Sequence, residues 1–165
     1  MTLPVRTGLG ASTTNRKWYV DCAVPGASPT WVAVMGVSEF QFNVEPTLQD
    51  DSDFDSEGFR SSTKTASAWS CTGTVRRGVV TGGTPTYDPG QEMIRLAADE
   101  MGVANVLTVR FYEMEDGGPR VLAYRGEVAT DWTDNGGDMA ANSTAGFTLT
   151  GRGRRIAITH PSPAA

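Results

Sequence analysis

Three carboxylates at alternate positions, Asp51, Asp53 and Asp55, are the first residues whose spacing suggests chemistry. Oxygen ligands on every second residue are how a calcium loop begins. That loop also needs glycine at its sixth position and a bidentate glutamate at its twelfth. Counted from Asp51, those positions hold Ser56 and Ser62, and no helical pattern flanks the segment. The metal reading fails on those grounds. Two readings remain, a solvated acidic turn and a surface that docks on a partner. Leu48, Phe54 and Phe59 lie among the carboxylates. A solvated linker has no use for them, which favours docking.

The other candidate chemistries are weaker. Ser70 precedes Cys71 with no base nearby, and His160, the sole histidine, adjoins Pro161. A histidine-dependent triad or metal centre is therefore not expected. Gly151-x-Gly153 is too short for a dinucleotide fingerprint, has no helix behind it, and reads as a glycine-relaxed turn between strands. Trp132, with Asp131 and Asp134, has the make-up of a sugar platform, although an aromatic in a strand is more often core. Arg76 and Arg77 form one basic cluster and Arg152, Arg154 and Arg155 another. The second cluster either pairs with a neighbour's carboxylates or stands solvated at a sheet edge, where charge blocks strand addition. No catalytic, cofactor or metal-binding set emerges, so a non-enzyme is expected.

Composition narrows the class. A chain of 165 residues, 39% of them hydrophobic, is expected to form one domain with a sizeable core. A net charge of −5 and a pI near 4.8 oppose tight nucleic-acid binding. They do not oppose a surface that DNA merely passes. No apolar run reaches the length of a transmembrane helix. Residues 1–16 have Arg6 but no apolar stretch after it, so they do not read as a secretory signal, and Cys22 and Cys71 are expected to be reduced.

The elements that must position these residues are mostly strands. Residues 17–24 read as the first, stopped by Pro25-Gly26. Trp31 to Val44 is an extended, aromatic and β-branched run with a bulge expected at Ser38-Glu39. A long loop from Pro46 to Phe59 leads to a returning strand, Lys64 to Val75. The helix is expected to start at Asp88 as N-cap, with Pro89 at the first position and Gln91 completing a capping box. Met93, Ile94, Ala97 and Met101 form its apolar stripe, Glu92, Arg95 and Asp99 face away, and Gly102 stops it. Further strands are expected at 106–112, from Val121 to Trp132 with Gly126 as a bulge, at 147–150 and at 155–159. About eight strands and one helix indicate a mainly β fold, a sandwich or barrel of about eight strands with one packed α-helix. The expected organisation is an N-terminal arm 1–16, a β-domain 17–159 holding an assembly loop 45–62, and a C-terminal tail 160–165.

The run Trp31-Val32-x-Val34-x-Gly36, then Glu39-Phe40, the segment Glu45 to Phe59, Lys64-Thr65-Ala66, Trp69, Tyr124-x-Gly126 and Phe147 to Gly153 resembles a known family. It is similar to the major tail (tail tube) proteins of long-tailed siphovirus phages of actinobacteria, from about Lys17 to Ile158. The resemblance implies the phage tail tube fold and a homohexameric ring whose subunits lend strands to one lumen-lining barrel. Rings would stack into the virion's tail tube, assembled in the host cytoplasm, as the conduit for DNA ejection. The implied partners are further copies of the chain and the tape measure, tail-tip and tail terminator proteins. Genomic DNA would pass without tight binding, and neither cofactor nor membrane is implied. Some relatives carry an added immunoglobulin-like domain; this chain matches the tube domain alone. Ring stacking falls to the assembly loop with Leu48, Asp50, Asp51, Asp53, Phe54, Asp55 and Phe59, and inter-subunit pairing to Arg76, Arg77, Arg152, Arg154 and Arg155, with lumen exposure as the alternative for all five arginines. The rival readings are a terminator or connector-type ring protein and a carbohydrate-binding β-sandwich.

Overall fold

The structure is a computed structural model and describes residues 18–53, 55, 59–80, 82–115 and 118–162. The arm expected over residues 1–16 and Phe54 of the acidic segment lie outside the described residues. In chain order the elements are β1 (Trp18–Ala23), β2 (Val32–Ala33), β3 (Val37–Asp50), β4 (Ser62–Arg76), α1 (Pro89–Ala98), β5 (Val106–Glu113), β6 (Ala123–Asn135) and β7 (Thr144–Ala157). The strands form one antiparallel sheet in the order β2-β1-β5-β6-β7-β4-β3. The described residues form seven strands: β7 runs unbroken through the expected glycine turn, while the expected 31–44 strand is divided into β2 and β3.

The sheet is rolled. Alternation puts Val20 and Cys22 of β1, Leu107, Val109 and Phe111 of β5, Phe147 and Leu149 of β7, and Trp69, Cys71 and Val75 of β4 in one buried cluster. Trp18 of β1 stacks on Phe40 of β3 with ring centroids 5.5 Å apart, although five strand positions separate them in the sheet. Phe111, fully buried, sits between them, its centroid 6.3 Å from Trp18, 5.6 Å from Phe40 and 5.2 Å from Phe42. Side chains, not a backbone ladder, close the roll between β1 and β3.

Trp69 lies flat inside the roll and donates its Nε1–H to the Gly153 carbonyl at 2.9 Å. It fits because the two strands it crosses carry glycine. A Cβ at Gly151 would stand 2.2 Å from Trp69 Cε2, and one at Gly126 2.5 Å from Cζ2. Gly126 also coincides with the expected bulge, a register shift between Arg125 and Glu127. The Gly151-Arg152-Gly153 segment is therefore interior strand, not a turn, and its first glycine is set by tertiary packing.

Helix α1 plugs one end of the roll through Ile94 and Ala97. Asp88 caps it as expected, accepting the Gln91 amide at 2.9 Å. The capping box is not completed. The Gln91 side chain instead donates to the carbonyls of Met35 at 2.7 Å and Arg76 at 3.1 Å, tying the helix to the β2–β3 link and the end of β4. Met101, expected on the apolar stripe, is 90% exposed, since the helix ends at Ala98 and Gly102 turns the chain at φ 64°. Asn105 accepts from Thr130 and donates to the Ala97 carbonyl, which seals the helix C-terminus against β6.

Two boundaries differ from the sequence reading. The Trp31–Val44 run is not one strand: β2 pairs with β1, Gly36 turns the chain at φ 75°, and β3 pairs with β4. The loop expected from Pro46 begins only after Asp50, because β3 continues through Pro46, which pairs with Ser67. β3 has β4 on one side and an open edge on the other, where a residue without an N–H is tolerated. His160, assigned to the tail, is buried: its Nε2–H donates to the Glu113 carbonyl at 2.7 Å while Nδ1 accepts the Ser162 amide at 3.0 Å.

If aromatic packing closes the roll, Phe111→Ala should cost about 3–5 kcal/mol. Gly151→Ala should cost about 1–3 kcal/mol by overpacking against Trp69. Gly136→Ala, where a Cβ meets nothing within 4 Å, should stay within about 0.5 kcal/mol. Chemical denaturation of the three variants measures this. Equal costs at Gly151 and Gly136 would contradict the packing role.

Candidate assembly interface

The β3–β4 hairpin outgrows the sheet. β4 pairs with β7 only from Ser70 to Arg76, whereas its pairing with β3 continues outward to Asp50↔Ser62. From Glu45↔Ala68 to the tip, the two strands pair only with each other among the described residues, and every residue in both is exposed. Six residues of β3 extended at about 3.3 Å each make an arm of roughly 20 Å. A two-stranded ribbon without a core is marginal in water, so an arm of this kind gains most of its stability from whatever it lies against. Val44 at its root, Leu48 along it and Phe59 at its tip are exposed by 38%, 61% and 78%.

The tip is ordered by its own polar groups. The Asp51 amide donates to the Ser61 carbonyl at 3.1 Å, and the Ser61 amide to Ser52 Oγ at 2.9 Å. The Ser52 amide donates to the Asp50 carboxylate at 2.9 Å, the Asp55 amide to that of Asp53 at 3.1 Å, and the Thr63 hydroxyl to that of Asp51. Hydrogen bonds from Ser52 hold the Asp50 carboxyl below the usual aspartate range, and those from Thr63 and then Ser61 do so for Asp51. Asp50 and Asp53 thus make Asx-type turns, while Asp51 of the calcium-like set bonds across the hairpin to Thr63. Glu57 lies outside the described residues.

The arginines divide. Arg76, Arg152 and Arg154 are exposed. Arg77 is engaged within its own chain. Its guanidinium lies 4.0 Å over Tyr87 and 5.3 Å from the Trp132 ring, and Nη1 is 3.3 Å from Gln91 Oε1. The same Nη1 stands 2.8 Å from Glu92 Oε1, close enough for an ion pair but off the hydrogen-bonding direction. Glu92 and Arg95 were expected to face away; Glu92 instead bridges Arg77 and Arg95. Arg155 is half-buried, its guanidinium 4.5 Å from the Phe42 ring and 4.3 Å from that of Tyr124. Trp132 packs on the core and donates to Asp134 at 2.9 Å, so one side of its ring is taken by the core and Arg77.

Polar features that the sequence reading passed over lie on the outer face of β1 and β5. Asp21, 5% exposed, pairs with Arg110 at 2.7 Å and accepts from the Tyr112 hydroxyl at 3.2 Å. Burial, then the Asp21 charge, push the Tyr112 phenol up to about 12. The alternation of Asp21, Arg110 and Tyr112 on paired strands was the available signal. Both cysteines are free thiols, and burial raises each to about 12, which leaves them unreactive.

No family model matches the chain, and no curated protein matches it. Solved structures do. A chain from the tail of an empty gene transfer agent particle, refined helically with C6 symmetry, is 12% identical, with a TM-score of 0.61 over 90% of this chain and 100% of that one. A chain from the virion of a native gene transfer agent is 11% identical, with a TM-score of 0.55 over 90% and 100%. A chain from the sixfold-symmetrised baseplate of the anti-feeding prophage is 9% identical, with a TM-score of 0.54 over 90% and 98%. These likenesses establish a shared fold: mainly β, one seven-stranded antiparallel sheet and one helix.

Deleting 49–57 should leave the domain folded, because none of the described residues of the arm belongs to the buried cluster. Circular dichroism should show an unchanged β spectrum and a melting temperature within a few degrees of the parent. Unfolding on deletion would make the arm a core element. A second expectation concerns charge. The turn bonds to Asp50 and Asp51 stabilise the tip above the ordinary aspartate pKa of about 3.9 and are lost as pH falls below it, through the depressed values. Carboxyl titration by NMR should give midpoints below the ordinary value; midpoints at or above it would dismiss these bonds.

Proposed function

We propose that the chain is the structural subunit of a phage-type tail tube, not an enzyme. Six copies close a ring, rings stack, and the tube conducts DNA during ejection from the virion. The siphovirus assignment rests on the sequence resemblance. The observation that carries the assembly reading is the arm: a ribbon with exposed apolar residues and, among the described residues, no partner strand on either side. Its fold is shared with chains of particles described as sixfold.

Ring closure answers a physical need. β3 presents 14 residues along an open edge, and a closed ring removes such edges. The arm, with Leu48, Asp50, Asp51, Asp53, Phe54, Asp55 and Phe59, reaches the adjacent ring or subunit, as the N-terminal residues 1–16 do in this reading. Arg76, Arg152 and Arg154 are placed at contacts between subunits, while Arg77 braces the helix inside each one. The tape measure, tail-tip and terminator proteins are the further partners. DNA is repelled rather than held, in keeping with the net charge of −5, because favourable contacts repeated along a tube would add up to drag. The partly covered Trp132 weighs against the carbohydrate-binding alternative.

Negative-stain microscopy of concentrated protein, alone and with tail-tip components, should show hexameric rings or tubes. Isolated rings that never stack would favour the terminator or connector reading, and monomers throughout would overturn assembly. Assembled tubes should give no gel shift with duplex DNA at moderate salt, and raised salt should weaken stacking. Tight, salt-sensitive DNA binding would contradict a conduit.

A further inference from the structure

We infer that a basic groove beside Arg155 receives the acidic arm tip of a second copy of this chain; this rests on the assembly reading above and names the surface that answers the arm. The groove, about 730 Å³, runs between the root of the arm and the end of β7. Trp69 and Tyr124 line it together with Val44, and its charged residues are Lys64, Arg154 and Arg155. None of the described residues lining it is acidic. Gly153 takes φ 75° where β7 departs from regular pairing with β6, and this kink precedes the two arginines.

Arg155 carries the strongest indication of a missing partner. Its guanidinium packs on the rings of Phe42 and Tyr124, and its Nη1 is shut off from water with no hydrogen-bond acceptor among the described residues. Buried N–H groups normally find an acceptor, and a cation without one is especially costly. A carboxylate brought into the groove supplies the missing charge and, with a small shift of the guanidinium, the acceptor.

The occupant follows from complementarity. The groove joins cations to aromatic and aliphatic walls, and the arm tip joins carboxylates, Asp50 and Asp51, to exposed Leu48 and Phe59. The subunit's own tip cannot enter. The groove is lined by Lys64 of the arm itself, which pairs with Leu48, and folding the tip back would break that ladder. A second copy meets no such obstacle.

The test uses the full chain at concentrations where it associates. Arg154→Glu changes an exposed side chain and should leave the melting temperature unchanged while raising the half-association concentration about tenfold in sedimentation. Arg155→Gln, which also gives up packing on Phe42 and Tyr124 and so lowers the melting temperature, should weaken association as well, and adding Asp51→Arg to Arg154→Glu should restore association. Separately, Asp51→Cys protein mixed with Arg154→Cys protein should form a disulfide-linked dimer on oxidation, well above the yield from Asp51→Cys mixed with Gly136→Cys. Cys22 and Cys71 are fully buried and stay out of the reaction. If deleting the arm stops association but Arg154→Glu does not, and the mixed cysteines fail to link, the groove is overturned and the assembly reading survives. If arm deletion leaves association intact, or the parent chain never associates, both fall.

Discussion

Phe111 holds this fold together. It is fully buried, and its ring centroid lies within 6.3 Å of Trp18, Phe40, Phe42, Trp69 and Tyr124. Those five residues come from β1, β3, β4 and β6, so one side chain on β5 joins nearly the whole width of the sheet. A seven-stranded sheet could lie open and twisted. It rolls because aromatic area on both halves is removed from water only when the halves meet. No backbone ladder links β1 to β3 among the described residues, so the roll keeps two hydrogen-bonding edges.

The arm follows from the same constraint. The aromatic cluster takes in β3 through Phe40 and Phe42, and β4 through Trp69. Beyond these residues there is no inward face left to cover, yet both strands continue as a paired ribbon. Composition fits that change of role: Thr, Ser, Ala and acidic residues replace the aromatics, with Leu48 and Phe59 left apolar at the surface. One hairpin is therefore core at its root and exposed at its tip. Arg155 stands at the junction, stacked on Phe42 and Tyr124, which both touch Phe111. Association at the groove would bear directly on the packing that closes the roll.

Local chemistry was legible in the sequence, and long-range partners were not. The helix start was readable because Asp88, Pro89 and Gln91 act within one turn. The bulges at Ser38 and Gly126 were readable for the same reason, since each disturbs the register locally. Gly151 and Gly153 misled, because their composition signals a turn while the reason for Gly151 is an indole from another strand. Pro46 and the aspartates that follow signalled a loop, and the strand through them survives because it lies on an open edge. Arg77 was expected at a contact between subunits; Tyr87, Gln91 and Glu92, which engage it, come from a later segment brought close by the fold. His160 looked like a tail residue, and only the return of the chain along β5 and β6 buries it. The surface position of Leu48 and Phe59 among carboxylates was legible in the acidic segment, whereas the groove draws residues from β3, β4, β6 and β7.

Amide hydrogen exchange across the concentration-dependent transition tests most directly that the arm is stabilised by a neighbour rather than by its own subunit. In dilute monomer, residues 45–50 and 62–68 should exchange within seconds, while Val20 to Ala23 and Leu107 to Phe111 stay protected. On association, the arm should become protected by several orders of magnitude while the core changes little. An arm already protected in the monomer, or one that exchanges as fast in the assembled state, would contradict this.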